Sequence, residues 1–168
     1  MAYALRKEDL SFIDSAPIRI REEATIAATP AEVWPAFADV TAWPAWFAGM
    51  KDARATSAGP FGLGSTRAVQ VATLKVNETI LAFDEPERFG FRVDDANVPA
   101  LAAMVELITL EPSAGGADTI VVYRQAIELK RWAGLFAPVM QRQLRDSVRA
   151  SLVTVQDWVA AHTAGAAR

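Results

Sequence analysis

Residues 20–53 read IREEATIAATPAEVWPAFADVTAWPAWFAGMKDA and predict a strand followed by two short helices. Apolar and polar residues alternate over residues 18–26, which is typical of a strand with one buried face. Ile18, Ile20, Ala24 and Ile26 share the apolar face, but Glu22 interrupts it. We therefore expect this strand to lie at a sheet margin or to carry a bulge.

The helices after this strand are marked by capping residues. Thr29 is a good N-cap, Pro30 suits the first helical position, and Glu32 completes a capping box with Thr29. A second short helix is predicted over residues 41–47, which include two tryptophans, and Gly49 ends it.

The middle of the chain is predicted to consist of strands joined by tight turns. Turn-forming residues separate apolar segments, and consecutive strands with such short connections form an antiparallel meander. With the first strand, this gives a sheet of about seven strands. The further predicted strands span residues 51–57, 65–74, 76–84, 89–93, 98–110 and 119–129.

A long amphipathic helix is predicted to follow the last strand. From Trp132 to Val159, apolar residues recur at spacings of three or four, as on one side of a helix of about 30 residues. Pro138 is expected to kink this helix or to mark its start. The fold class is therefore α+β, with the long C-terminal helix packed across a curved antiparallel sheet. Because a straight helix does not follow a twisted sheet, a cavity is expected between them.

Composition and charge exclude several classes of function. The chain has 168 residues, a net charge of -3 and no cysteine, so thiolate chemistry is excluded and a nucleic-acid partner is not expected. Its one histidine, His162, lies near the C-terminus and is interpreted as a solvated tail residue, so we expect no metal site and no cofactor. No segment is apolar enough to predict a membrane span or a signal peptide, and a cytoplasmic protein is expected.

The segment over residues 20–53 resembles the N-terminal part of the START-like, or SRPBCC, superfamily. Within it, the chain is most similar to the polyketide cyclase/dehydrase and lipid-transport group. Thr29-Pro30, Val33-Trp34 and Trp43-Pro44-Ala45-Trp46 carry this similarity, together with the segments 78–80, 84–89 and 115–119. The resemblance implies a helix-grip fold over residues 18–162, with residues 1–17 as an N-terminal extension and residues 163–168 as a tail.

The resemblance also implies a ligand site between the sheet and the last helix. The positions that match it come from the short helices, the concave strand faces and the long helix. The alternative for each of them is simple core packing. The predicted ligand-binding residues are Trp43, Phe47, Met50, Val69, Val71, Phe91, Met104, Tyr123, Leu135, Val139, Met140 and Gln143.

Tyr123 and Glu106 are the candidates for acid–base chemistry. Tyr123 is expected to point inward, whereas Glu106 is expected to face solvent, although strand periodicity alone does not choose its face. The main hypothesis is that the cavity binds or carries a hydrophobic, lipid- or polyketide-like molecule without catalysis. A cyclase or dehydratase using the same cavity and a protein-interaction module are the alternatives. The sequence gives neither the ligand nor the oligomeric state.

Overall fold

In the computed structural model, residues 1–166 are described, and they form one antiparallel sheet with a long helix packed across it. The elements up to the second short helix are β1 (Tyr3–Ala4), α1 (Phe12–Ser15), β2 (Ile18–Ile26), α2 (Pro30–Val33), α3 (Pro35–Ala38), a 3-10 turn (Val40–Ala42) and α4 (Trp43–Trp46). They are followed by β3 (Met50–Ala55), β4 (Thr66–Val71), β5 (Leu74–Asp84), β6 (Arg88–Ala96), β7 (Leu101–Pro112), β8 (Thr119–Leu129), a 3-10 helix (Arg131–Phe136) and α5 (Ala137–Ala166).

The sheet has the predicted antiparallel meander from β3 to β8. Its strand order is β2-β8-β7-β6-β5-β4-β3, and the short strand β1 pairs with β6 as an eighth strand. β2 is the edge strand expected from its interrupted apolar face, and it pairs with β8 over its whole length without a bulge. The predicted α+β helix-grip architecture is therefore confirmed.

The capping box predicted before the first short helix is present. The Thr29 backbone N–H donates to the Glu32 carboxylate at 2.8 Å, and the Thr29 side chain accepts from the backbone of Glu32. The helix is divided into two turns, α2 and α3, at Trp34. Proline at position 35 has no N–H to continue the helical hydrogen bonding, which accounts for the division.

Helix α5 packs on the sheet through Val148, Leu152, Val155 and Val159, which are buried and spaced by three or four residues. The Ser151 hydroxyl accepts from the backbone N–H of Ala48 at 2.9 Å and so joins the helix to the loop after α4. Pro138 is the second residue of α5, so it marks the start of the helix.

Glu22 connects the edge strand β2 to α5. Its carboxylate accepts a hydrogen bond from Arg149 at 2.6 Å and lies 3.4 Å from the Arg145 guanidinium. This pairing explains how an acidic residue is accommodated on the otherwise apolar face of β2. The two arginines are therefore partners of β2 and are not wholly solvated.

The N-terminal residues pack against the outer face of the sheet. Phe12 and Ile13 of α1 are buried together with Val105, Leu107 and Ala126. β7 and β8 consequently carry apolar residues on both faces. The N-terminal segment thus supplies a second, smaller apolar layer outside the sheet.

Helix α5 continues through His162 to Ala166, past the predicted domain end at residue 162. His162 is exposed, as predicted, and its ring stacks on Trp158 with the ring centres 3.8 Å apart. Residues 167 and 168 of the predicted tail lie outside the described residues. Over residues 1–166, no helix combines the length and the hydropathy that a bilayer crossing requires.

Candidate functional site

A cavity of about 80 Å³ lies between the sheet, α4 and α5. Strands β4 to β8 supply most of its wall, α4 and the following loop close one side, and α5 closes another. Most wall residues are apolar, and a smaller group is polar or charged. The wall consists of Trp43, Phe47, Met50, Arg67, Val69, Val71, Leu74, Val76, Glu78, Phe91, Val93, Met104, Glu106, Tyr123, Gln125, Leu144 and Ser147.

The structure places many of the sequence-predicted ligand residues on this wall. They are Trp43, Phe47, Met50, Val69, Val71, Phe91, Met104 and Tyr123. They come from separate parts of the chain, which the sheet and α4 bring together. Their assignment to a ligand remains a proposal.

Four predicted residues do not line the cavity. Leu135 and Val139 are 91% and 61% exposed, and Gln143 is also exposed. Met140 is half-buried and packs against the core without reaching the cavity wall. The family resemblance implied a place on the cavity wall for all four. Leu135 lies in the 3-10 helix over residues 131–136, before α5 begins. Val139 and Gln143 lie on the side of α5 that is turned away from the buried residues Val148 and Leu152. Within α5, the cavity is contacted by Leu144 and Ser147 instead.

Trp43 and Trp46 are both fully buried, and neither indole N–H is free for a ligand. Trp43 Nε1 donates to the Phe37 carbonyl at 2.9 Å, and Trp46 Nε1 donates to the Ala36 carbonyl at 2.9 Å. Trp43 therefore offers the cavity an aromatic face. Trp34 is buried in the core.

A buried ion pair forms one polar part of the wall. Arg67 and Glu78 lie directly opposite each other on β4 and β5, and Arg67 Nε donates to Glu78 Oε2 at 2.5 Å. The Arg67 guanidinium carbon is also 4.1 Å from the centre of the Trp43 ring and 4.4 Å from that of Phe91. Arg67 is only 1% exposed, so these aromatic faces and Glu78 replace its hydration.

Glu106 and Tyr123 form the other polar part. Glu106 is 5% exposed and faces the cavity, which corrects the expectation that it faces solvent. The Tyr123 hydroxyl donates to Glu106 Oε2 at 2.5 Å, and Gln125 lies opposite Glu106 in the β7–β8 register. The sequence could not decide the face of Glu106 because α1 covers the outer side of β7, so both faces of this strand are apolar.

The surroundings of these groups shift their pKa values. Burial raises the pKa of Glu106 from 4.5 to about 7, and the hydrogen bonds from Tyr123 and Gln125 only partly oppose this shift. Burial also raises the pKa of Tyr123 well above its ordinary value, and the neighbouring Glu106 charge adds to the effect. Burial raises the pKa of Glu78 as well, against the opposing charge of Arg67. Tyr123 is therefore a hydrogen-bond donor at neutral pH, and Glu106 exchanges a proton near neutrality.

Two polar atoms of the wall residues have no hydrogen-bond partner within residues 1–166. They are Arg67 Nη1, a donor, and Gln125 Oε1, an acceptor, and both are buried. A buried polar atom without a partner is costly, by about 1–3 kcal/mol. A polar group bound in the cavity, or water, can provide the missing hydrogen bonds.

Sequence reasoning missed Arg67, Glu78 and Gln125 as wall residues, although a signal was present. Arg67 has the same strand parity as Val69 and Val71, and Gln125 has that of Tyr123, so each set points to one face. Charged side chains usually face solvent, so the charge of Arg67 favoured the solvent-facing side of the strand although its position in the alternation favoured the wall. No cluster of three or more potential metal ligands occurs in the part of the chain that the structure describes.

Comparison with known proteins places this fold and site in a family. The family model described as polyketide cyclase / dehydrase and lipid transport matches residues 17–157. An uncharacterized protein of Mycobacterium tuberculosis, Rv2574, is 27% identical over 150 residues, which cover 88% of this chain and 90% of that protein.

Solved structures show the same fold at low sequence identity. TTHA0849 from Thermus thermophilus superposes with a TM-score of 0.73 at 17% identity, covering 86% of this chain and 98% of that one. A START superfamily protein from Mycobacterium smegmatis gives a TM-score of 0.67 at 12% identity, covering 84% and 99%. The chain belongs to the family described as polyketide cyclase / dehydrase and lipid transport.

Proposed function

We propose that the chain binds a small molecule with an apolar body and one polar, hydrogen-bonding group in this cavity. The observation that carries the proposal is the division of the wall. Aromatic and aliphatic side chains line most of it, and the unpartnered atoms Arg67 Nη1 and Gln125 Oε1 belong to its polar part. A ligand carbonyl can accept from Arg67, and a ligand hydroxyl can donate to Gln125.

The size of the cavity limits the ligand. Pockets for drug-sized molecules have volumes of roughly 300–1,000 Å³, whereas this cavity holds about 80 Å³. A lipid- or polyketide-sized molecule therefore requires wall residues to move. The half-buried wall residues Val71, Leu74 and Leu144 are the best candidates, because they belong to the β4–β5 turn and to α5 and are not locked in the core.

Two measurements test binding. Native mass spectrometry of the purified protein shows whether an apolar molecule co-purifies. Titration with the neutral fluorescent probe N-phenyl-1-naphthylamine measures affinity directly. We expect Val71→Trp, which fills the cavity, to weaken probe binding at least about tenfold. Gln70→Trp, on the same strand but with its side chain on the opposite face, is the matched control and should change affinity less than about twofold. Absence of probe binding and of any co-purified molecule would refute the proposal.

The Glu106–Tyr123 pair favours a second candidate function, an acid–base enzyme of the cyclase or dehydratase type. A carboxyl group with a pKa of about 7 can donate and accept a proton at neutral pH. Tyr123 holds its carboxylate oxygen in place at 2.5 Å. In the dehydration of a β-hydroxy thioester, the Glu106 carboxylate takes the proton from the carbon next to the carbonyl and gives it to the departing β-hydroxyl group. The hydroxyl leaves as water, a carbon–carbon double bond forms, and Tyr123 orients Glu106.

Turnover of a β-hydroxy thioester by the purified protein tests this candidate. We expect Glu106→Gln to abolish turnover while probe affinity stays within about threefold, because the amide keeps the size of the carboxyl group but cannot transfer the proton. Glu111→Gln, at an exposed position of the same strand, is the control. Full turnover by Glu106→Gln would remove Glu106 as the acid or base.

A further inference from the structure

Large exposed apolar side chains are concentrated in one short segment. Trp132, Leu135, Phe136 and Val139 are 60%, 91%, 64% and 61% exposed. Of the other large apolar residues described, only Met1, Leu63 and Val153 are comparably exposed, and they are scattered along the chain. We call these four residues the apolar patch. In the 3-10 helix that carries three of them, Ala133 is the one buried residue.

Basic residues flank the apolar patch on both sides. Residues 130–145 contain Lys130, Arg131, Arg142 and Arg145 and no acidic residue, although the chain as a whole carries a net charge of -3. Arg131 is exposed, and so is Arg142, whose Nε lies 3.9 Å from Asp146 Oδ2. Arg145 is partly exposed although it faces Glu22. The local charge is thus opposite in sign to that of the whole molecule.

We propose that the apolar patch and its flanking basic residues dock the protein onto an anionic lipid surface. Segments that bind at a membrane surface combine exposed Trp, Phe and Leu side chains with lysine and arginine. The apolar side chains enter the acyl-chain region, and the cations contact the headgroups. The net charge of -3 disfavours a non-specific attraction of the whole molecule to an anionic surface, so we assign the attraction to this segment. A lipid surface is a better match than a protein partner, because the basic residues beside the apolar patch are complementary to anionic headgroups.

The apolar patch is close to the cavity along α5. Val139 precedes the wall residue Leu144 by five positions, which is about 7.5 Å along a helix. Docking therefore holds the cavity wall formed by α5 near the lipid surface. This inference rests on the proposed function. It locates the exchange of an apolar ligand between the cavity and the bilayer at this end of α5.

Vesicle co-sedimentation tests the docking. The probes are vesicles of phosphatidylcholine alone and vesicles that also contain about 30% phosphatidylglycerol, each at low and high salt. We expect binding to the anionic vesicles, and weaker binding at high salt because the ions screen the attraction. Leu135→Glu with Val139→Glu should weaken it by about a hundredfold through the loss of apolar burial. Lys130→Gln with Arg131→Gln should weaken it about thirtyfold.

Val153→Glu is the matched control, since Val153 is 62% exposed on α5 but lies outside the apolar patch. It should bind as the unchanged protein does. Equal binding of the Leu135→Glu, Val139→Glu variant and the unchanged protein would overturn the proposal, as would no binding to anionic vesicles. Size-exclusion chromatography tests the alternative that the apolar patch binds a second copy of this chain. A dimer that Leu135→Glu converts to a monomer would identify the patch as an interface between copies and would also overturn docking.

These outcomes are separable from failure of the proposed function. Probe binding in solution, without vesicles, should be the same for the Leu135→Glu, Val139→Glu variant and the unchanged protein, because neither residue lines the cavity. Loss of vesicle binding with intact probe binding supports docking. Absence of probe binding with intact vesicle binding refutes the cavity ligand and leaves the docking surface standing.

Discussion

Replacing Glu106 with glutamine should remove a pH dependence from the stability of this protein. The Glu106 carboxyl is buried in the cavity wall, and burial raises its pKa to about 7 in the folded state. In the unfolded chain its pKa returns to its ordinary value of 4.5. The folded state therefore keeps the proton up to about pH 7, whereas the unfolded state releases it near pH 4.5. Glutamine has a similar size and has no proton to release.

The magnitude follows from this difference in pKa. Where only the folded state binds the proton, each rise of one pH unit lowers the free energy of unfolding by about 1.4 kcal/mol. Between pH 4.5 and about pH 7, the free energy of unfolding of the unchanged protein falls by roughly 3 kcal/mol. The loss begins above the unfolded pKa and is complete above the folded pKa. We therefore expect Glu106→Gln to gain roughly 3 kcal/mol relative to the unchanged protein between about pH 5 and pH 8.

Urea unfolding followed by tryptophan fluorescence measures this gain, because Trp34, Trp43 and Trp46 are buried in the folded state. The quantity of interest is the difference between variant and unchanged protein at each pH, in which the other titrating groups largely cancel. Glu111→Gln, at an exposed position of the same strand, should give a difference that does not change with pH. If this difference in the free energy of unfolding does not change with pH for Glu106→Gln, burial does not disfavour the charged form of Glu106, and the reasoning is refuted.

Three further substitutions test the fold around the site by urea unfolding. Arg67→Met leaves the Glu78 charge buried without its partner and should lower the free energy of unfolding by about 3–5 kcal/mol. The double variant that also carries Glu78→Leu should recover most of this loss. A double variant as unstable as Arg67→Met would contradict the pairing. Phe12→Ala should lower the free energy of unfolding by about 3 kcal/mol, because Phe12 is buried against the sheet. The control Phe136→Ala, at an exposed position, should lower it by less than about 0.5 kcal/mol. Equal losses would show that the N-terminal helix does not pack on the sheet. Thr29→Ala removes the capping box and should cost about 1 kcal/mol; an unchanged stability would argue against that cap.

The fold could be predicted from the sequence because its signals are local and consistent. The alternation over residues 18–26, the capping box at Thr29 and the periodicity of the C-terminal helix each specify one element. Their order then restricts the architecture to a helix packed across a meander. The edge position of β2 could also be expected, since Glu22 interrupts its apolar face.

The polar part of the site could not be predicted in the same way. The face of Glu106 depends on α1, a four-residue helix far away in sequence that covers the other side of its strand. Strand parity places Arg67 on the same face as Val69 and Val71, but its charge favours solvent. Its burial depends on Glu78 and on the faces of Trp43 and Phe91, which strand parity does not reveal. Leu135 and Val139 do not line the cavity, for two different reasons. Leu135 lies in a 3-10 helix that apolar spacing over two turns does not distinguish from an α-helix, and Val139 lies on the outer side of α5.

The pairing of β2 with β8 has a consequence for how the molecule is assembled. Ile18 is aligned with Ile127, and β2 has no other strand partner in the sheet. During synthesis, β2 therefore stays unpaired until β8 has been made, and α5 follows β8. Strand pairing over such a separation slows folding and leaves an edge exposed to aggregation. A nascent chain that lacks β8 cannot enclose the cavity, because β8 supplies the wall residues Tyr123 and Gln125.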